Sequence, residues 1–158
     1  YGVRVRDKAN PAREQFGGRK WFPVDAQYRI NAAFTAHDEP RTLEIVNVLG
    51  MATPMLNPGY VTFELDGQAV KLEAFDAGEN EVWFVFRDAT SGNETYDAGR
   101  FLYAPLNEDG TALVDFNKAY HPPCAFTLYA TCPLPPKDNI LSFPLRAGER
   151  NPPDAAAE

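Results

Sequence analysis

Apolar and polar residues alternate with a period of two along most of the chain, the pattern of strands with one buried face. From Tyr28 to Thr35, Tyr28, Ile30, Ala32 and Phe34 share one face while Arg29, Asn31 and Thr35 share the other. The clearest hairpin runs from Tyr60 to Phe75: Val61, Phe63 and Leu65 alternate with Thr62 and Glu64, Asp66-Gly67 supplies the turn, and Val70 and Leu72 alternate with Lys71 and Glu73 on the return. A second Asp-Gly, Asp109-Gly110, predicts a hairpin between Arg100–Ala104 and Thr111–Phe116. Further strands are expected at Gly2–Arg6, Thr42–Val48, Glu81–Arg87 and Leu141–Arg146. Val82 to Phe86 is apolar on both faces, which places that strand between two layers, or between a sheet and a covering loop.

These segments are short, and the 11 glycines and 14 prolines fall between them as punctuation. No long helix is expected. Pro11 to Pro23 reads as irregular or as one short helical turn, Tyr120–Pro136 as a long proline-rich loop, and residues 151–158 as a frayed tail. About nine strands must stack or close, so the expected fold is all-β, an antiparallel β barrel or sandwich, in a single domain spanning residues 1–158. A start at Tyr1 rather than Met reads as the start of a fragment.

Composition narrows the function. At 44% hydrophobic and 23% charged the chain can bury a core. A net charge of −7 supplies no basic excess for phosphate backbones, so no nucleic-acid partner is expected. No apolar run approaches the ~18 residues of a membrane helix. The compartment stays open, with the cytoplasm slightly favoured. There is no Gly-x-Ser-x-Gly elbow, phosphate-binding loop or dinucleotide glycine pattern, which removes three enzyme classes.

The two cysteines, Cys124 and Cys132, are compatible with buried thiols, with a disulfide, or with metal use. With His121 they offer at most three zinc ligands in a spacing that fits no zinc pattern, so no metal site is expected. Cys124 and His121 are too stiffly separated by two prolines to make a nucleophile pair by local geometry. His37-Asp38-Glu39 imitates the opening of a zinc deaminase signature, but the cysteine spacing downstream does not continue it. Ser91 reads as a turn residue, and the Asn93-Glu94-Thr95 triplet as a chance sequon.

Polar residues recur just beyond apolar strands. If those strand ends are adjacent, Arg87, Asp88, Tyr96, Arg100, Tyr103, Asp115, Asn117 and Tyr120 line a concave small-ligand site. The equally physical alternative is that Arg–Asp pairs and tyrosine hydroxyls satisfy one another and anchor the Tyr120–Pro136 loop. Three functions follow: a binding module for a small, anionic molecule or a peptide segment; a hydrolase or lyase using Asp88 or Asp115 as general base with Arg87 or Arg100 stabilising charge; or a packing partner for a preceding domain, showing an apolar patch. No cofactor is specified.

From Phe86 onward the chain resembles the bacterial and archaeal domain-of-unknown-function family 1684. The likeness is carried by Phe86-Arg87-Asp88-Ala89-Thr90-Ser91-Gly92, Glu94-Thr95-Tyr96, Gly99-Arg100-Phe101-Leu102-Tyr103, Val114 to Tyr120, Pro122-Pro123-Cys124-Ala125-Phe126, Cys132-Pro133-Leu134-Pro135-Pro136 and Ala147-Gly148-Glu149. Weaker likeness reaches back through Tyr60–Leu72 to Phe22-Pro23. The resemblance implies a prokaryotic source and a preceding forkhead-associated-like β segment closed by a stretch such as Tyr1–Asp7, which makes this chain the C-terminal part of a longer protein. It implies no activity. Where relatives usually carry Asn, this sequence has His121, which speaks against an essential imidazole there.

Overall fold

The computed structural model describes residues 7–151. The expected strand at Gly2–Arg6 and nearly all of the expected tail lie outside them. Among the described residues there are eight strands: β1 (Lys20–Trp21), β2 (Arg29–Val46), β3 (Ala52–Leu65), β4 (Gln68–Asp76), β5 (Glu81–Phe86), β6 (Arg100–Pro105), β7 (Thr111–Asp115) and β8 (Glu149–Arg150). Six form one antiparallel sheet in the order β6-β5-β4-β3-β2-β7, and a bridge between Leu106 and Ala112 brings its two ends together. The result is a nearly closed barrel. No helix among the described residues is long and apolar enough to cross a membrane.

The Asp66-Gly67 turn forms as its sequence demands, with both residues at positive φ (52° and 73°), the geometry that matches the twist of a two-residue hairpin. At Asp109-Gly110 the strands meet only at Leu106–Ala112, because β7 gives its ladder to β2, Arg29–Ala33 against Asp115–Thr111. The expected strands at Tyr28–Thr35 and Thr42–Val48 are one strand of 18 residues, and β3 begins at Ala52 rather than Tyr60. Between Ala36 and Arg41 the β2–β3 register slips, pushing His37–Pro40 out of the ladder opposite Pro58. Neither Pro40 nor Pro58 has an N–H to give, so pairing fails there and resumes at Arg41–Asn57.

The expected strand at Leu141–Arg146 is not one. Its alternation is real, since Leu141 and Leu145 are buried and Phe143 packs on the core, but Pro144 lacks a donor and the backbone uses scattered partners. Leu141 N–H donates to Arg87 O, Ala89 N–H to Phe143 O, and Leu145 N–H to the Asp88 side chain.

The inward faces of the strands supply the main core, including Val61, Leu72, Phe84, Phe86, Leu102 and Val114. Burying each such side chain contributes about 1.5–3 kcal/mol. A second core lies on the outer face, where Ile45, Phe75, Val85, Phe101 and Cys132 are roofed by the chain from Tyr120 to Cys132. β5 is therefore buried on both faces, as its sequence implied. Cys124 and Cys132 are joined in a disulfide that staples this roof; in the chain-entropy account, so short a loop contributes about 2–3 kcal/mol.

Candidate functional site

The eight residues proposed from the sequence do not gather in one place. Asp88 and Arg100 meet in the interior, both side chains fully enclosed. Arg100 Nη2 donates to Asp88 Oδ2 at 2.8 Å and to Leu145 O at 2.8 Å, and Nη1 to Ala147 O. Asp88 Oδ1 takes the N–H groups of Thr90 and Leu145 at 2.8 and 3.0 Å. Burial pulls the Arg100 pKa down and the Asp88 charge pulls it back. This pair anchors the run from Leu145 to Glu149, whereas the Tyr120–Pro136 loop is held by the disulfide and the second core. Arg87, one residue before Asp88, points the other way and pairs with the exposed Asp97 at 2.6 Å. Tyr96 donates its backbone N–H to His121 Nε2, and its hydroxyl pKa is raised by burial and by Asp97.

On the outer face, Tyr103 lies between Trp83 and Tyr120, with centroids 6.1 and 6.4 Å away and nearly parallel rings. Burial, then Tyr103, push the Tyr120 pKa up to about 12. Trp83 Nε1 is buried there without a partner. Asp115 and Asn117 form a separate turn: Asp115 Oδ1 accepts from Asn117 N–H and Nδ2, while Asn117 exchanges hydrogen bonds with the Asp25 backbone. Of the two candidate general bases, Asp88 thus has both oxygens engaged by protein donors, and Asp115 has Oδ1 engaged.

A polar network that the sequence reading passed over lies elsewhere on the outer face, beside the β2 slip. Asn57 is 1% exposed, and its Nδ2 faces the Gly59 and Ala74 carbonyls at 2.9 and 2.7 Å. Carbonyls only accept, so the amide orientation is fixed, Oδ1 faces His37, and His37 Nε2 is the donor at 2.8 Å. Glu73, also buried, accepts from Asn57 Nδ2 at 3.2 Å and from Lys71 Nζ at 2.6 Å. That hydrogen bond is the chief cause of the raised Lys71 pKa. Lys71 Nζ also sits 4.3 Å over the Tyr60 ring, a cation–π contact. Asn57, Lys71 and Glu73 border a cavity of about 280 Å³ completed by Arg41, Leu43, Pro136, Lys137 and Asp138. A larger hollow of about 610 Å³ between Asn80 and Leu106–Asp109 is walled only by turn residues, with no buried polar group behind it. Size alone therefore does not select a site. In the sequence the network's signal was the Lys71 and Glu73 pair on the outer face of β4, with an asparagine two residues before Gly59.

His121 marks a pH dependence. It is buried, and desolvation followed by Arg100 and Arg19 lowers its pKa from 6.5 to about 4. The folded state resists a proton that the unfolded chain accepts below about pH 6.5, so this stability is present above that pH and lost as pH falls toward 4. Glu149, whose pKa burial raises, works in the opposite direction. Because its side chain can accept the Tyr96 N–H without titrating, His121→Asn is expected to remove up to about 2.5 kcal/mol of the loss between pH 7.5 and 4.5. Urea unfolding of both proteins at the two pH values measures it, and equal slopes would contradict it.

No curated protein matches the chain. The solution NMR structure of an uncharacterized protein from Haloarcula marismortui is similar at 32% identity and a TM-score of 0.72, over 90% of this chain and 80% of that one. A model for proteins of unknown function, DUF1684, matches residues 14–150, and the chain belongs to that family.

Proposed function

We propose that this protein is a small-ligand-binding β module whose site is the cavity beside Asn57. The observation that supports this reading is the polar network of His37, Asn57, Glu73 and Lys71, in which the buried Asn57 and Glu73 and the half-exposed Lys71 line that cavity. Elsewhere the outer face carries the apolar cluster of Phe75, Val85 and Phe101, roofed by the chain from Tyr120 to Cys132. A buried polar network contributes little net stability relative to apolar residues of the same volume, so its placement beside a cavity calls for a use other than stability. The Asp88–Arg100 knot already has a structural use and faces no opening. A volume of about 280 Å³ is just under the ~300–1,000 Å³ of drug-sized sites, which suits a small metabolite. The disulfide favours an oxidising compartment over the cytoplasm.

A metabolite library screened by amide and side-chain chemical shifts tests the assignment. Ligands are expected to move Asn57, Lys71, Glu73 and residues 136–138 together. Hits that moved Tyr103, Tyr120 and Arg87 instead would transfer the site to the aromatic face, and an empty screen would overturn the reading. A packing role toward another domain is the second reading, supported by Leu128 and Tyr129, which are 96% and 91% exposed at the tip of the bridged loop.

A further inference from the structure

Resting on that reading, we propose that the ligand is a small monoanion, bound through a carboxylate or phosphate group between Arg41, Lys71 and Lys137. Three cations and two carboxylates, Glu73 and Asp138, border the cavity. Glu73 is spent on the protein: Oε1 accepts from Lys71 and Oε2 from Asn57. The remaining carboxylate, Asp138, offsets one of the three cations, Glu73 offsets another, and one positive charge is left over. A single anionic group neutralises it.

The cations differ in how committed they are. Lys71 is fixed from two sides, by Glu73 and by the face of Tyr60. Arg41 and Lys137 make no ion pair among the described residues. Arg41 is the first residue back in register after the β2 slip, opposite Asn57, so the slip itself sets where the guanidinium stands. Lys137 opens the 3-10 turn Lys137–Asn139, and Asn139, fully buried, ties that turn to β4 and β5. Both cations are therefore carried on firmly held backbone. Leu43 and Pro136 supply apolar wall between them, which lowers the local dielectric and strengthens a charge-assisted hydrogen bond. A planar guanidinium suits either a carboxylate or a phosphate in two-pronged fashion.

The test titrates the whole protein with four probes, lactate, inorganic phosphate, glucose and putrescine, following the Asn57 side-chain amide and the Lys71 ammonium group by NMR. Lactate or phosphate is expected to shift both signals, and which of the two binds tighter identifies the anionic group. Arg41→Gln and Lys137→Gln, both on exposed side chains, are each expected to weaken that binding about tenfold and to leave the unfolding midpoint unchanged. Anion binding unaffected by either substitution overturns the proposal. Shifts produced only by glucose or putrescine overturn the anion while keeping the cavity as the site. Silence from all four probes also overturns the anion, whereas the binding reading itself fails only if the wider library finds nothing at this cavity.

Discussion

Replacing Arg100 with Met is expected to lower the unfolding midpoint by about 10–28 °C. The substitution leaves the Asp88 carboxylate enclosed without its cation, and breaking a buried pair from one side costs about 3–5 kcal/mol. It also strips the Leu145 and Ala147 carbonyls of their donor, adding about 1 kcal/mol or more for each acceptor left dry. For a chain of this size each kcal/mol corresponds to about 2–4 °C. The companion variant separates the causes. Asp88→Asn in the Arg100→Met background removes the stranded charge and keeps an oxygen for the Thr90 and Leu145 N–H groups, so the double variant is expected to be more stable than Arg100→Met alone. Thermal unfolding of the set measures it; a double variant less stable than Arg100→Met would show that the carbonyls, not the charge, dominate.

Asn139→Ala is expected to cost about as much, through backbone rather than charge. β4 and β5 pair only at Phe75–Trp83 and Asp76–Val82 before they part. Into the gap goes the Asn139 amide, whose Oδ1 takes the Glu73 N–H at 2.7 Å and whose Nδ2 donates to Glu73 O and Val85 O at 2.9 Å each. Its own carbonyl accepts from Arg87 N–H, and Leu141 N–H returns to Arg87 O. One side chain thus does the hydrogen bonding of a missing strand segment. Three buried backbone groups lose partners in the Ala variant, at about 1–3 kcal/mol each before relaxation. Asn139→Asp is expected to be worse, because it turns a carboxylate toward two carbonyl oxygens. Urea unfolding ranks the variants, and amide exchange at Glu73 should speed up in both; an Asp variant as stable as the wild type would contradict this account.

The sequence carried the strands and their faces, because a period of two needs no tertiary information: Val82, Phe84 and Phe86 turn inward and Val85 outward as their alternation required. The same parity bears on the candidate site. Arg87 and Asp88 are adjacent, and Arg100 and Tyr103 are three apart, so within each pair the two side chains leave on opposite faces. Reasoning from strand ends alone set that aside. Closure as a barrel rather than a sandwich was not legible, since it depends on β2 serving two neighbours and on one asparagine more than 50 residues beyond the strands it joins. Leu141–Arg146 misled for a related reason: alternation reports which side chains are buried, and says nothing of whether a neighbouring backbone exists to ladder with. The network around Asn57 was hidden because a slipped register, unlike a hairpin turn, leaves only the two prolines as a trace.

The stretch from Asn139 to Glu149 is pinned at Asn139 to β4 and β5, at Leu141 to the Arg87 backbone, and at Leu145 and Ala147 to the Asp88–Arg100 pair. Its length is therefore a ruler. Within the family, insertions and deletions should be rare across those eleven positions and common at Leu128–Tyr129, where a longer excursion between the bridged cysteines enlarges the loop without moving any anchor.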